Sequence, residues 1–433
     1  MLGSGGREHA LALRLREDPA VGEVILAPGH AAAARSFRCL AIAERDFGRL
    51  ADACGAERVD LVVVGPEAPL AEGVVDALEA AGVRAFGPTR EAARLESSKW
   101  FAKQVMSGCG IPTARAERHE SLASARGALA RFAPPWVIKA DGLAAGKGVC
   151  VTPDPGDAAA FLADCLEGGR FGESGRAVLI EEFLGGEEAS VMAVCDGSRH
   201  VLLAPARDYK RARDGDEGPN TGGMGAFAPL VRASEGLERA VSARIVTPLL
   251  EEMARRGAPF RGLLYCGLML GEGGPRVVEF NVRFGDPETQ VVLPLTGGSP
   301  AMLLASAAAG ALDESAVSRA AGAAVAVALV ERGYPGPAEG GGPIRGLEEV
   351  EGVEGIQVVH AATKWESGEW HARTGRAAYV VARGGSVADA RALAYRAVDR
   401  LAGEGWRCRR DIAAGAEEAV KVASDAPAPA RKG

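Results

Sequence analysis

The sequence predicts a multidomain chain combining α/β and α+β architecture: an N-terminal doubly wound parallel sheet, a central domain of paired strands with a glycine-loop lid, and a small C-terminal α+β domain. Three observations carry this expectation. Over residues 1–96 short apolar strands alternate with helical stretches, the pattern of a parallel sheet covered by helices. Over residues 133–290 strands come in pairs around glycine-rich turns, as antiparallel hairpins do. From about Ala321 the pattern changes to short strands and turns around one amphipathic helix capped by Ser386. At 433 residues the chain has room for two to four domains and a large core that needs no disulfide or metal staple.

In chain order, GSGGREHA at 3–10 reads as a glycine-rich loop entering the helix ALALRLRED, where backbone N–H groups would face an anion. A dinucleotide fingerprint is the rival reading. It fails because Glu8 fills the third glycine slot and VILAPG at 24–29 ends without the acidic residue that would hold an adenosine ribose. Only Met1 and Leu2 precede the loop, whereas such a unit needs a strand of about five residues to lead into it. The first strand is therefore expected to be truncated, with an apolar strand encoded upstream. VDLVVVGPEAPL at 59–70 reads as a buried parallel strand, followed by a helix and the strand RAFGPT at 84–89. That places Glu67 at the carboxyl end of a strand, either as a solvated loop acid or as a ribose contact. Lys99 and Lys103, four apart on the helix 97–107, are surface lysines by default.

APPWVIKADGLAAGKGVCV at 133–151 reads as strand, glycine loop, strand, with Lys139 at the end of the first strand and Lys147 in the loop. It is not a Walker loop: three residues rather than four separate Gly142 from Gly146, Gly148 follows Lys147, and a strand follows instead of a helix. Such a hairpin can still cover phosphates through its amides and act as a lid. An apolar strand at 177–194 is interrupted by Glu181, Glu182 and a glycine pair, which suggests an edge facing a ligand. The stretch 208–229, dense in charge and glycine, reads as a long functional loop. Residues 263–270 and 275–284 form a hairpin about GEGG, followed by a helix with Ser299 as cap and Pro300 in first position.

The centre of the chain is VVEFNVRFGDPETQ at 277–290. Val277, Val278, Phe280 and Val282 alternate with Glu279, Asn281 and Arg283, so one strand face is apolar and the other carries a carboxylate, a carboxamide and a guanidinium. Successive members of that row lie about 7 Å apart. Two oxygen donors and a planar fork suit a hard cation beside an anion; a half-solvated antiparallel strand is the bland alternative. Asp286 and Glu288 in the turn that follows add two more carboxylates and favour a metal-nucleotide site.

Composition narrows the classes. A net charge of -7 argues against nucleic acid or an acidic membrane as partner. Eight scattered cysteines without a CxxC pair fit a reduced, cytoplasmic setting, and the longest apolar run, 320–330, is too short to cross a bilayer. No Ser/His/Asp or Cys/His constellation offers a protein nucleophile.

Taken together, GGREHAL, VGPEAPL, KADGLAAGKGV, GEEAS, GPNTGGMGA, EFNVRFGDPETQ and HAATK resemble, in the same order and across nearly the whole chain, the phosphoribosylamine-glycine ligase (glycinamide ribonucleotide synthetase) family of the ATP-grasp superfamily. The resemblance implies an ATP-grasp central domain and the ATP-dependent ligation of glycine to 5-phosphoribosylamine. The products would be glycinamide ribonucleotide, ADP and phosphate, formed through a glycyl phosphate in purine biosynthesis. It implies domains at 1–96, 97–312 with a lid at about 115–185, and 321–423, then a disordered tail at 424–433. By the same resemblance Glu279 and Asn281 hold Mg2+ or Mn2+. Lys99, Lys139, Gly142, Gly146, Lys147 and Gly148 attend the ATP phosphates, and residues 181–184 (Glu181, Glu182, Phe183, Leu184) bind the adenine. Glu188 takes the nucleotide ribose. Arg283, with Lys139, is catalytic and receives the glycine carboxylate or acyl phosphate. Gly5, Gly6, Glu67 and Asp286 bind substrate, and Asp208 orients an amine. The partners expected are small molecules, with the chain as a monomer. The sequence departs from the family's usual pattern at His30, Ala32, Tyr209 and Ala362, where Asn, Gly, His and Gly are familiar. Another ATP-grasp enzyme, or a nucleotide-binding protein without activity, are the alternatives; GPNTGGMGA and FGDPETQ argue against the first.

Overall fold

The computed structural model describes residues 1–144, 147–230 and 234–416. Gly146, expected in the phosphate-covering loop, and the tail 424–433 lie outside the described residues, as does the middle of the expected lid loop.

The N-terminal part is a parallel sheet. Leu2–Gly3 pairs with Ile25–Pro28, which pairs with Arg38–Cys39, while Val62–Val63 pairs with Ala85–Phe86. A bridge from Leu2 to Val64 joins the two sets, so the two-residue strand leading into the first helix sits centrally. That helix, Gly6–Arg16, begins inside the stretch read as loop, because Glu8 folds back to accept from the Gly5 N–H at 2.7 Å and caps it.

Two four-stranded antiparallel sheets form the central part. One orders Ala116–His119, Val178–Glu181, Trp136–Ala140 and Val149–Thr152; the other orders His200–Leu202, Glu187–Asp196, Arg261–Gly271 and Gly274–Asn281. The strand Gly274–Asn281 turns Val277 and Phe280 into the core, with Val282 just beyond it, all at most 3% exposed. Each such burial is worth about 1.5–3 kcal/mol, which fixes the register and therefore which side chains face the cleft. The alternation is broken once: Gly267 pairs with Glu279 and Leu268 with Val277, leaving Val278 as a bulge residue. Val278 therefore joins Glu279 on the cleft wall rather than the apolar face where the period of two places it.

The stretch 208–229 is not one loop. Arg211–Arg213 and Glu217–Asn220 form a hairpin, and Arg207–Asp208 and Gly225–Ala228 extend the C-terminal sheet through Ala323–Glu331, Arg376–Gly384 and Ile356–His360. Alternation was masked there by glycine and charge. The helix Pro300–Ala308 starts as the sequence predicts, with Ser299 Oγ accepting from the Met302 N–H at 3.2 Å. All eight cysteines are free thiols, and among the described residues no helix is long and apolar enough to cross a membrane.

Candidate active site

The two central sheets face each other across a cleft, and the helix Lys99–Gly108 closes one end. Two cavities share its wall. One, about 160 Å³, is lined by Lys99, Lys103, Lys139, Gly148, Glu279 and Asn281 among others. The second, about 280 Å³, runs from Phe183 and Leu184 past Glu188 and Lys210 to Asp286 and Glu288. Lys139, Val149, Glu181, Val278, Glu279, Asn281 and Arg283 line both. Pockets for small organic ligands are roughly 300–1,000 Å³, so the joined space is of the right order for a nucleotide and a small co-substrate.

Lysines dominate the inner end. Lys139 Nζ donates to the Val278 carbonyl at 2.9 Å and lies 3.0 Å from Glu181 Oε2. Lys99 Nζ donates to the Gly142 carbonyl at 3.0 Å, tying the helix to the glycine hairpin. Burial lowers the Lys99 ammonium below its ordinary pKa, with Glu279 opposing and Lys139 reinforcing the shift. Lys103, a surface residue by default from its spacing, is instead buried. It donates to Thr113 Oγ1 and the Ala114 carbonyl, both at 2.9 Å, and stands 3.3 Å from Glu181 Oε1 without hydrogen bonding to it. Burial first, against Glu181, pushes its pKa down to about 8. The signal for burial is in the sequence: positions 99, 102, 103 and 106 share a helical face that also carries Ala102 and Met106.

Acids and cations alternate across the rest of the cleft. Burial works to raise the Glu279 carboxyl, but the fields of Lys210, Lys139, Lys99 and Arg283 outweigh it and hold it below the usual carboxylate range. Arg283 is gripped from two sides, 3.1 Å from Glu96 and 3.3 Å from Glu67 Oε2, and also donates to the Phe284 carbonyl. Asp208 is 9% exposed and its carboxyl is raised, first by burial and then by Glu288 and Glu188, against the opposing Lys210 at 3.6 Å. The C-terminal part reaches the rim: Tyr379 OH donates to Asp286 Oδ1 at 2.7 Å, and Arg376 lies 3.3 Å from Asp286 Oδ2.

Family models described as the phosphoribosylglycinamide synthetase N domain, ATP-grasp (A) domain and C domain match residues 1–96, 97–289 and 324–415. The chain belongs to the phosphoribosylglycinamide synthetase family. The phosphoribosylamine-glycine ligase of Mesorhizobium japonicum is 44% identical over 95% of this chain and 96% of its own length. That of Leifsonia xyli subsp. xyli is 46% identical over 96% of this chain and 99% of its own. A crystal structure of the phosphoribosylamine-glycine ligase of Thermotoga maritima superposes with a TM-score of 0.81 at 35% identity, covering 95% of this chain and 98% of that one. The biotin carboxylase domain of a Hydrogenobacter thermophilus 2-oxoglutarate carboxylase, 16% identical with a TM-score of 0.72 over 94% and 90% of the two chains, shares the fold.

In this phosphoribosylglycinamide synthetase family member, the structure brings together Lys99, Lys139, Gly142, Gly148, Glu181, Glu279, Asn281 and Arg283 in one cavity wall. Glu182, Phe183, Leu184, Glu188, Asp208 and Asp286 line its neighbour. Lys147 is exposed and lines neither cavity. Two expectations meet competition. Glu188, expected at a ribose, is ion-paired with Lys210. The Gly5 N–H, expected to face an anion, is taken by Glu8, which also accepts from Arg7 Nε at 2.7 Å. Gly6 is buried against Tyr379. Glu67, expected as a solvated loop acid or a ribose contact, is paired with Arg283. Local pattern could have pointed to Lys210, two residues from Asp208 on extended chain; nothing local points to Arg376 or Tyr379, which arrive from about ninety residues away.

Proposed function

We propose that the chain ligates glycine to 5-phosphoribosylamine with ATP, yielding glycinamide ribonucleotide, ADP and phosphate in purine biosynthesis, and that it does so through a glycyl phosphate. The observation that carries this is the single wall holding Lys99, Lys139, Glu279, Asn281 and Arg283. A carboxylate is a poor acyl donor until phosphorylated, and phosphoryl transfer asks for cations and positioning rather than a protein nucleophile. Lys99 and Lys139 face the transferred charge, and Arg283 takes the glycine carboxylate with the fork that two acids hold in place.

Glu279 and Asn281 fit Mg2+ or Mn2+ because Glu279, though the fields of four nearby cations keep it ionised, is in contact with none of them and its oxygens stay open to a ligand. Among the described residues no three His, Cys, Asp or Glu converge on a metal position. A hard cation here would thus complete its shell with phosphate oxygens and water, the common pattern for magnesium. When bound, it would neutralise charge on the phosphates. Backbone of 181–184 would receive the adenine, with Phe183, 48% exposed, beside it. Glu188 would reach the ribose on release from Lys210. Gly5, Gly6, Glu67 and Asp286 would hold phosphoribosylamine, and Asp208, raised towards the neutral form by burial, would orient its amine. The chain is proposed to act as a monomer.

The test is ADP formation. It should require glycine and phosphoribosylamine together with a divalent cation. ADP formed with bicarbonate or formate in place of glycine would reassign the reaction, and no ADP in any combination would overturn it.

A further inference from the structure

Charge pairing in the larger cavity leaves one acid unexplained. Glu181 pairs with Lys139, Glu182 with Arg276, Glu188 and Asp208 with Lys210, and Asp286 with Arg376. Among the described residues the other two acids of that lining, Glu279 and Glu288, form no salt bridge, and Glu288 meets Arg283 and Arg376 only by attraction at longer range. A metal ion accounts for Glu279 under the proposed function. Nothing yet accounts for Glu288.

Glu288 is 3% exposed. Its Oε1 accepts from Tyr265 OH at 2.8 Å and from Ser190 Oγ at 3.0 Å, and the two hydroxyls lie 2.8 Å from each other. Hydroxyls orient a carboxylate without cancelling its charge, and a buried carboxylate with no counter-ion in contact is unfavourable. Both hydroxyls crowd one oxygen, which leaves Oε2 for a ligand. Space beside Oε2 depends on Gly285: a Cβ there would stand 2.6 Å from Oε2 and 3.0 Å from Tyr265 Cε2. Among the described residues no three His, Cys, Asp or Glu side chains gather round Glu288, so a cation there would be one that the substrates bring, a metal on their phosphates or an ammonium. A primary ammonium fits, with one positive charge and three donors.

We propose that Glu288 receives the α-ammonium of the amino-acid substrate, and that Tyr265 and Ser190 are positioning residues that aim its carboxylate. This rests on the ligase reading, in which the amino acid's carboxylate lies towards Arg283 on the wall of the same cavity. It adds a basis for choosing an amino acid over the hydroxy acid of equal size. Glycolate offers a hydroxyl where glycine offers a charge.

The experiment measures ADP formation with glycine and with glycolate, at saturating ATP and magnesium, for wild type, Glu288→Gln, Tyr265→Phe and Ser190→Ala. Charge-assisted bonds of this kind correspond to about 10- to 100-fold. Glu288→Gln should raise the glycine KM by about 100-fold and shrink the glycine-to-glycolate preference as much. Tyr265→Phe should do both by about 10-fold, while the ATP KM changes less than about twofold. A glycine KM and preference unchanged in a folded Glu288→Gln would overturn the assignment. If that variant does not fold, an unchanged preference in Tyr265→Phe, which keeps the ring packing, overturns it equally. A loss restored by extra magnesium instead of glycine would also overturn it, in favour of a second metal. Wild type with no glycine-dependent ADP would bring down the ligase reading itself, a result distinct from an active wild type whose variants keep their preference.

Discussion

Arg283 is held by two acids that its strand does not contain, Glu96 buried and Glu67 half-buried. Its place two residues beyond Asn281 is legible as a polar row, but Glu96 and Glu67 come from the N-terminal part, and only the fold brings them to 3.1 and 3.3 Å. Glu96 is fixed in turn, accepting from the Val282 N–H at 2.7 Å, so the guanidinium is aimed before substrate arrives. A lysine keeps the charge but cannot span both acids and a ligand carboxylate, because it is a point charge on a flexible stem. Arg283→Lys should therefore lower kcat/KM for glycine by roughly 10- to 100-fold, the equivalent of about 1.5–3 kcal/mol, with the ATP KM nearly unchanged. Steady-state kinetics with each substrate varied checks it, and equal losses towards ATP and glycine would give Arg283 a structural role instead. Lys103 teaches the converse lesson. Its default as a surface lysine comes from charge alone, whereas the apolar company on its helical face already marks it as buried.

At the scale of elements, strands and hairpins were readable wherever apolar residues keep a period, and two departures have physical causes. The bulge at Val278 inserts a residue that no single-strand pattern reveals, because pairing with Gly267 and Leu268 defines it. The early start of the helix Gly6–Arg16 depends on Glu8 capping the chain from within, in a stretch whose glycines read as loop. That helix start also docks the C-terminal sheet. A Cβ at Gly6 would lie 2.6 Å from Tyr379 Cε2, and Tyr379 is fully buried with its hydroxyl committed to Asp286. The ring cannot swing aside without giving up that bond. Gly6→Ala should thus destabilise the protein by about 1–3 kcal/mol, although alanine is the better helix former, and weaken the use of phosphoribosylamine. Urea unfolding and the phosphoribosylamine KM are the measurements. Unchanged or increased stability would show that the helix and the sheet are not in tight contact at this point.

Across the whole molecule, the N- and C-terminal parts meet through three histidines that sequence distance conceals. His9 lies on the first helix, His30 just after the strand Ile25–Pro28 and His360 at the end of Ile356–His360. His9 lies 5.2 Å from His30 and 5.8 Å from His360 between ring centroids, and the His360 N–H donates to His9 Nδ1 at 3.0 Å. Burial, the leading cause in each, pushes His30 down to about 4 and His360 to about 3, and holds His9 well below its ordinary value. The charged neighbours Arg16 and Arg35 act in the same direction. All three rings are thus neutral in the folded protein near neutral pH, whereas in the unfolded chain each titrates near 6.5. Below 6.5 the unfolded state binds protons that the folded state refuses, so stability is full above that pH and is lost as pH falls towards 4. Asp196, held down to about 2 mainly by backbone hydrogen bonds that outweigh its burial, adds its own loss only at lower pH, which keeps the windows apart. His30 alone should then contribute about 2 kcal/mol of the stability lost between pH 7 and pH 5. His30→Asn keeps an acceptor for the Ala33 N–H, which now donates to His30 Nδ1 at 3.2 Å, but has no proton to gain in this range. Urea unfolding at the two pH values should show the variant losing about 2 kcal/mol less than wild type. Equal losses in both proteins would mean that His30 takes up its proton without disturbing the junction.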